Sequence, residues 1–182
     1  MYAVRFHGRG GQGAKTASRI LGTAAFLSGY QAQDSPIYGA ERRGAPVAAF
    51  TRFGREPIRE RGVIAHPDLV VVADASLLED PAARVSDGIT DQTILFVNSP
   101  LHAEQIRTQS GLPGRITTFG VTEIALQHFG QREAISALLG AVAARLSGLQ
   151  QEPLRQAIAR ELEDLGLAPP IIEGNQTVAL TC

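Results

Sequence analysis

The run Leu69-Val70-Val71-Val72-Ala73 is continuously apolar and mostly β-branched. A strand of this kind sends apolar side chains to both faces of its sheet, and both faces then need cover. That requirement points to a layered α/β fold with a parallel sheet between helices. Thr93 to Val97 repeats the pattern, and Arg115 to Phe119 repeats it more weakly.

Tyr2 to Phe6 reads as a short strand that runs into His7-Gly8-Arg9-Gly10-Gly11-Gln12-Gly13. From Gln12 to Ser28 the apolar residues Ala14, Ala17, Ile20, Leu21, Ala24, Ala25 and Leu27 fall at helical spacing, and Gly29 suits the helix end. Tyr30 to Asp34 reads as the next strand, so residues 2–34 are expected to form one βαβ unit. Val47 to Phe53 and Ile58 to Ile64 are expected to pair as a hairpin around Gly54-Arg55-Glu56-Pro57. Helices are predicted over 76–85, 101–110, 121–129, 132–146 and 153–165. Pro169-Pro170 is expected to interrupt the tail before a possible final helix. The expected architecture is a three-layer, Rossmann-like α/β domain with a mostly parallel sheet and one β-hairpin. It forms a single domain over 1–182, of which 166–182 is a C-terminal tail.

Composition narrows the function classes. Apolar residues make up 44% of the 182 and charged residues 19%, the latter below the ~25% of an ordinary domain. This excludes a disordered chain and suits a domain that also buries surface against partners. A net charge of -1 with no Trp speaks against nucleic-acid binding. The single Cys, Cys182, cannot hold an iron–sulfur cluster or form an intrachain disulfide. No apolar run approaches the ~20 residues of a membrane span, and the N-terminus lacks a signal peptide's layout. The expectation is a cytoplasmic protein with no membrane partner.

Gly8-x-Gly10-x-x-Gly13 lies between a strand and a helix, as a dinucleotide fingerprint does. The glycines permit a tight turn, and a helix N-terminus offers unpaired N–H groups to phosphate. Asp34 stands about where a ribose-binding carboxylate belongs, although Ser35-Pro36 after it equally makes it the start of a turn. Three readings stay open: a dinucleotide site, glycines that only let helix and sheet pack closely, and a site completed by another chain. Asp74, at the carboxyl end of a buried strand, is either a ligand-facing carboxylate or the cap of the following helix.

Other chemistry is sparse. His7, His66, His102 and His128 show no metal-ligand spacing, and no nucleophile elbow or H-E-x-x-H motif occurs. No residue is assigned as catalytic and none as a metal ligand. The densest unusual segment is Tyr38-Gly39-Ala40-Glu41-Arg42-Arg43-Gly44-Ala45-Pro46, followed by Arg52, Arg55, Arg59 and Arg61 with Glu56 and Glu60 between them. Paired arginines fork onto phosphates or carboxylates. The alternative is a solvated hairpin with internal ion pairs.

His-Gly-Arg-Gly-Gly-Gln-Gly-Ala at 7–14 and Tyr-Gly-Ala-Glu-Arg-Arg-Gly-Ala-Pro at 38–46 resemble the gamma subunits of the 2-oxoacid:ferredoxin oxidoreductases, the pyruvate synthase group. Ala-Phe-Thr-Arg at 49–52, Pro-Ile-Arg at 57–59 and Pro-Asp-Leu-Val-Val-Val-Ala-Asp at 67–74 are similar to the same family in the same order. The resemblance covers most of residues 2–146. It implies a multisubunit enzyme that oxidatively decarboxylates a 2-oxoacid with coenzyme A to acyl-CoA and CO2. Pyruvate is the first choice, with a branched-chain or an aryl 2-oxoacid such as phenylglyoxylate as alternatives. Thiamine diphosphate, Mg and [4Fe-4S] clusters are implied in partner subunits, with no cofactor bound by this chain alone. The implied partners are alpha, beta and ferredoxin-like delta subunits, together with ferredoxin or a flavoprotein subunit that reduces NAD. Coenzyme A is implied as a shared substrate facing Tyr38, Glu41, Arg42 and Arg43. Gly10, Gly11, Gln12 and Gly13 are then contacts to the coenzyme or to partner subunits. The competing readings are a free-standing Rossmann-type NAD-binding protein and a non-enzymatic module for a phosphate ligand.

Overall fold

Alternate residues of the run 69–72 separate into two apolar clusters, one on each face of a six-stranded sheet. The structure, a computed structural model, describes residues 1–36, 44–130 and 135–181. The strands are β1 (Tyr2–Arg9), β2 (Gln31–Pro36), β3 (Pro46–Gly54), β4 (Leu69–Val72), β5 (Ile94–Asn98) and β6 (Arg115–Phe119). Their order across the sheet is β2-β3-β1-β4-β5-β6. The β1–β4, β4–β5 and β5–β6 ladders are parallel, and β3 runs antiparallel to both of its neighbours.

Leu69 and Val71 of β4 join Val4 and Phe6 of β1 on the first face. There they meet helix α1 (Ala14–Leu27) and helix α4 (Ser136–Leu146). Helices α3 (Val121–Phe129), α5 (Gln151–Asp164) and α6 (Pro169–Thr181) belong to the same layer. Val70 and Val72 point the other way, onto Leu77, Val85 and Ile106 of helix α2 (Ala103–Ser110) and its neighbouring turns. The expected three-layer α/β arrangement is therefore present.

Three local expectations are corrected. First, β1 and β2 are not adjacent, because β3 lies between them, so residues 2–34 are not a simple βαβ unit. Second, the hairpin is β2–β3, and residues 58–64 form no strand. With β1 on one side and β2 on the other, β3 has no edge left for that segment. Arginines hold its carbonyls instead: Arg52 Nη1 and Nη2 donate to Gly62 O and Val63 O at 3.1 and 3.2 Å, and Arg5 Nη1 donates to Ile64 O at 3.4 Å. Third, the helix expected over 76–85 is two 3₁₀ turns, Ala75–Leu78 and Pro81–Ala83. Asp80 caps the second turn, and Pro81 at its start has no N–H to continue the first.

The tail is ordered into α6, which begins at Pro169 itself. Proline suits a first helical turn, where its missing N–H would be unpaired in any case. Ile172, Val178 and Ala179 are buried, and Gln176 Nε2 ties α6 to Arg155 O of α5 at 2.8 Å.

Candidate functional site

The chain leaves β1 towards the first face, through α1, and leaves β4 and β5 towards the second. Where connections diverge in this way the carboxyl ends of the strands leave a crevice, and ligands of open α/β sheets bind there. A cleft of about 480 Å³ occupies this place. Gly10, Gly11 and Gln12 line it after β1, Ala73, Asp74 and Ala75 after β4, and Asn98, Ser99 and Pro100 at the end of β5. Thr122, Glu123, Leu126 and Ile135 close it from the helical side.

The glycine turn is filled by one of its own side chains. Gln12 Oε1 accepts from Arg9 N–H at 2.7 Å, and Gln12 N–H donates back to Arg9 O at 2.9 Å. The other end of the same amide donates from Nε2 to Asp74 Oδ2 at 2.9 Å. Asp74 Oδ1 accepts from Ser76 N–H at 3.0 Å and from Ser76 Oγ at 2.7 Å. Asp74 thus caps a 3₁₀ turn, as one of its two sequence readings expects, and it also lines the cleft. Burial alone pushes its pKa up. The hydrogen bonds from Ser76 and Gln12, with the Arg9 charge behind them, outweigh this and hold the carboxyl below its ordinary value.

Arg9 joins the glycine turn to two other segments. Its Nη2 and Nε donate to Ser76 Oγ at 2.8 and 3.3 Å, and Nη1 donates to Gly44 O at 3.2 Å. Asp74 and Asp80 carboxylates lie 3.6 Å from the same guanidinium. Main-chain bonds reinforce the junction: Gly10 N–H donates to Ala45 O at 2.9 Å and Gly44 N–H to Gly10 O at 3.3 Å. The two motifs at 7–14 and 38–46 therefore meet, through the described end of the second one.

Gly8 and Gly13 serve the packing of α1. A Cβ on Gly8 would stand 3.1 Å from Ala14 Cβ. Gly13 has φ +74°, and a Cβ there would come within 2.6 Å of Ser136 Cβ at the start of α4. Of the sequence-derived site residues, Gly10, Gly11 and Gln12 line the cleft and Gly13 caps α1 beside it. Tyr38, Glu41, Arg42 and Arg43 lie outside the described residues.

Asp34 is not at this site. It sits on the outer strand β2 opposite Thr51 and lines a separate hollow with Arg19, Phe26 and Arg160. With β3 interposed and the glycine turn occupied by Gln12, the geometry of a dinucleotide fingerprint is absent. Of the arginines that follow the second motif, Arg52 is buried on loop carbonyls, whereas Arg61 is exposed and donates from Nη1 to Ile58 O at 3.2 Å. His7 points to the second face, away from the cleft. Burial, with the Arg5 charge beside it, lowers its pKa to about 4.

Sequence reasoning missed Asn98 and Thr122. Asn98 Nδ2 donates to Ala73 O at 2.9 Å and to Thr122 Oγ1 at 2.8 Å, and Asn98 Oδ1 accepts from Thr122 N–H at 3.2 Å. The buried amide thereby stitches the ends of β4 and β5 to the start of α3. Its position directly after the apolar run ending at Val97 was the available signal, since the same rule singles out Asp74.

Residues 3–180 match the pyruvate ferredoxin/flavodoxin oxidoreductase family, so the match takes in the tail beyond 146. The chain is 45% identical over 159 residues to the pyruvate/ketoisovalerate oxidoreductases common subunit gamma of Pyrococcus furiosus, covering 87% of this chain and 85% of that one. Pyruvate oxidoreductase subunit PORC of Thermotoga maritima superposes with a TM-score of 0.80 at 34% identity, over 98% of this chain and 92% of that one. A 2-oxoglutarate:ferredoxin oxidoreductase from Magnetococcus marinus, solved with 2-oxoglutarate, coenzyme A and succinyl-CoA, shares the fold. The TM-score is 0.77 at 13% identity, over 98% of this chain and 29% of that one. With the family match running nearly end to end and the fold agreeing throughout, this chain belongs to the pyruvate ferredoxin/flavodoxin oxidoreductase family and is a gamma-type subunit of an oxidoreductase complex.

Proposed function

We propose that the chain supplies the coenzyme A side of a cytoplasmic 2-oxoacid oxidoreductase complex, which converts pyruvate or a branched-chain 2-oxoacid and coenzyme A to acyl-CoA and CO2. The observation that carries this reading is the meeting of the two motifs at the cleft, through Gly10, Gly44 and Ala45. That junction leads directly into Arg42 and Arg43, which we assign to the coenzyme's phosphates. Tyr38 and Glu41 belong to the same segment, and Gly10 to Gly13 form the adjoining wall.

This chain's own residues do not fit the redox groups of such a complex. It has one Cys, and no group of three or more His, Cys, Asp or Glu among the described residues could hold a metal ion. We assign thiamine diphosphate, Mg and [4Fe-4S] clusters to alpha, beta and ferredoxin-like delta partners, with ferredoxin or a flavoprotein NAD-reducing subunit as the electron acceptor. The name of the Pyrococcus furiosus relative describes one gamma subunit common to pyruvate and ketoisovalerate enzymes, which supports placing the choice of 2-oxoacid in the partner chains.

Reconstitution tests the reading. The partner subunits, assembled with and without this chain, are assayed for acyl-CoA formation from pyruvate and from 2-ketoisovalerate. Adding the chain should confer coenzyme A-dependent turnover without changing which 2-oxoacid is preferred. A preference that follows this chain when gamma subunits are exchanged would overturn it.

A further inference from the structure

We propose that the segment from Arg55 to Val63 docks against a carboxylate-rich face of another subunit of the complex. Docking here is independent of where coenzyme A binds. The segment runs between β3 and β4 in no helix or strand, yet it is held from beneath. Its clamps are two buried arginines on the second face of the sheet. Arg52 donates to Gly62 O and Val63 O, and Arg5 to Ile64 O and Val85 O. Ile64 packs with Ala3 and Phe50, and Arg61 turns back onto Ile58 O and Glu60 O. The backbone is therefore shaped without help from a partner.

The charge is another matter. Carbonyl oxygens satisfy guanidinium N–H groups without neutralising them. Arg5 forms no ion pair among the described residues, and the Nε atoms of Arg5 and Arg52 are buried without an acceptor. Burial pushes the Arg5 pKa below its ordinary value. Asp87 opposes this, but Asp87 is itself paired with Arg84 at 2.6 Å. Arg52 has only Glu60, at 3.7 Å and on a side chain 66% exposed. Buried charge without a close counter-ion is costly. Above the clamps, Arg55 and Arg59 are exposed and make no hydrogen bond or ion pair among the described residues. Five arginines thus face two glutamates, Glu56 and Glu60, in a chain whose net charge is -1. This local excess is met by carboxylates from outside.

The pattern selects a protein as the partner. Arg55-Glu56 and Arg59-Glu60-Arg61 alternate in sign, and their glutamates repel a polyphosphate or a nucleic acid. A folded face can meet each sign with its opposite. Val63, beside the exposed Gly62, leaves 63% of its surface in water, and an apolar contact with a charged rim is the usual build of an interface. The chain is a subunit of an oxidoreductase complex, which makes a neighbouring subunit the occupant.

The test follows association of this chain with its partner subunits by surface plasmon resonance. It uses about 0.1 M and about 1 M salt, between which the Debye length falls from about 10 to about 3 Å. Arg55→Glu combined with Arg59→Glu should slow association about tenfold at the lower salt, and the deficit should largely vanish at the higher. Both side chains are exposed and unpaired, so thermal unfolding of the variant should match wild type. If charge reversal disturbs the fold, Arg55→Gln with Arg59→Gln carries the test, with a smaller deficit of the same salt dependence. Val63→Ser should speed dissociation about tenfold at either salt. Unchanged association in the double variant, an equal deficit at both salts, or an unaltered dissociation rate in Val63→Ser overturns the proposal. Normal assembly with a raised KM for the electron acceptor also overturns it, and assigns the segment to the acceptor.

Discussion

Gln12 and Asp74, 62 residues apart, are joined by a 2.9 Å hydrogen bond from Gln12 Nε2 to Asp74 Oδ2. Because Gln12 Oε1 simultaneously accepts the Arg9 N–H, the orientation of this amide is fixed at both ends. A carboxylate suits position 74, since it only accepts: Gln12 donates to one oxygen and Ser76 to the other.

Asp74→Asn should therefore destabilise the fold. Whichever way the new amide turns, its NH2 faces a donor, either Gln12 Nε2 or Ser76 N–H. A loss of about 1–2 kcal/mol is expected from one spoiled cap or charge-assisted bond. The sign of the pH dependence follows from the depressed Asp74 pKa. The carboxylate's contribution is present above the unfolded-state value and is lost as pH falls through the folded-state value. Chemical denaturation of wild type and variant should differ at pH 7, and the difference should begin to close only below about pH 4. A gap that persists unchanged into acid contradicts this account.

His7 gives a second pH signature on the other face of the sheet. It is buried, and its pKa is about 4 in the fold against 6.5 unfolded. Above pH 6.5 both states are neutral there and the group adds no pH dependence. Below it the unfolded chain takes a proton that the fold refuses, so stability falls between about pH 6.5 and 4, by up to about 3 kcal/mol. Urea titrations across that range should show the slope in wild type and a flatter profile in His7→Gln.

Gly13→Ala combines a left-handed backbone with a collision against Ser136. The expected loss is about 1–3 kcal/mol. Ser136→Gly in the same chain should recover the collision but not the φ penalty, so thermal unfolding should show partial rescue. No rescue would mean that α4 does not limit this position.

The isolated chain should be colourless and should turn over no 2-oxoacid, with activity gained only in the complex. Calorimetry should detect no micromolar NADH binding, because β3 separates β1 from β2 and Gln12 fills the glycine turn. Tight NADH binding would restore the dinucleotide reading.

The buried strands β4 and β5 were legible because cover on both faces leaves a continuous apolar run. The turn after β1 was legible because its glycine spacing answers to backbone geometry. Residues 58–64 misled for a physical reason. Their alternation resembles a strand, yet their carbonyls are held by Arg52 and Arg5, charged residues that local patterning assigns to the surface. The insertion of β3 beside β1 is a long-range pairing with no local signature. Gln12 is equally silent in sequence: an amide between glycines does not announce that it fills the turn. The resemblance supplied Tyr38, Glu41, Arg42 and Arg43, which lie outside the described residues.

Equilibrium binding of coenzyme A to the assembled complex without 2-oxoacid tests the proposal that this chain holds the coenzyme's phosphates. On the proposed assignment, replacing Arg42 and Arg43 together by Ala removes at least one charge-assisted contact, each about 1.5–3 kcal/mol, so Kd should rise about 10- to 100-fold or more. An unchanged Kd in a fully assembled complex contradicts the claim and assigns the coenzyme to the partner subunits.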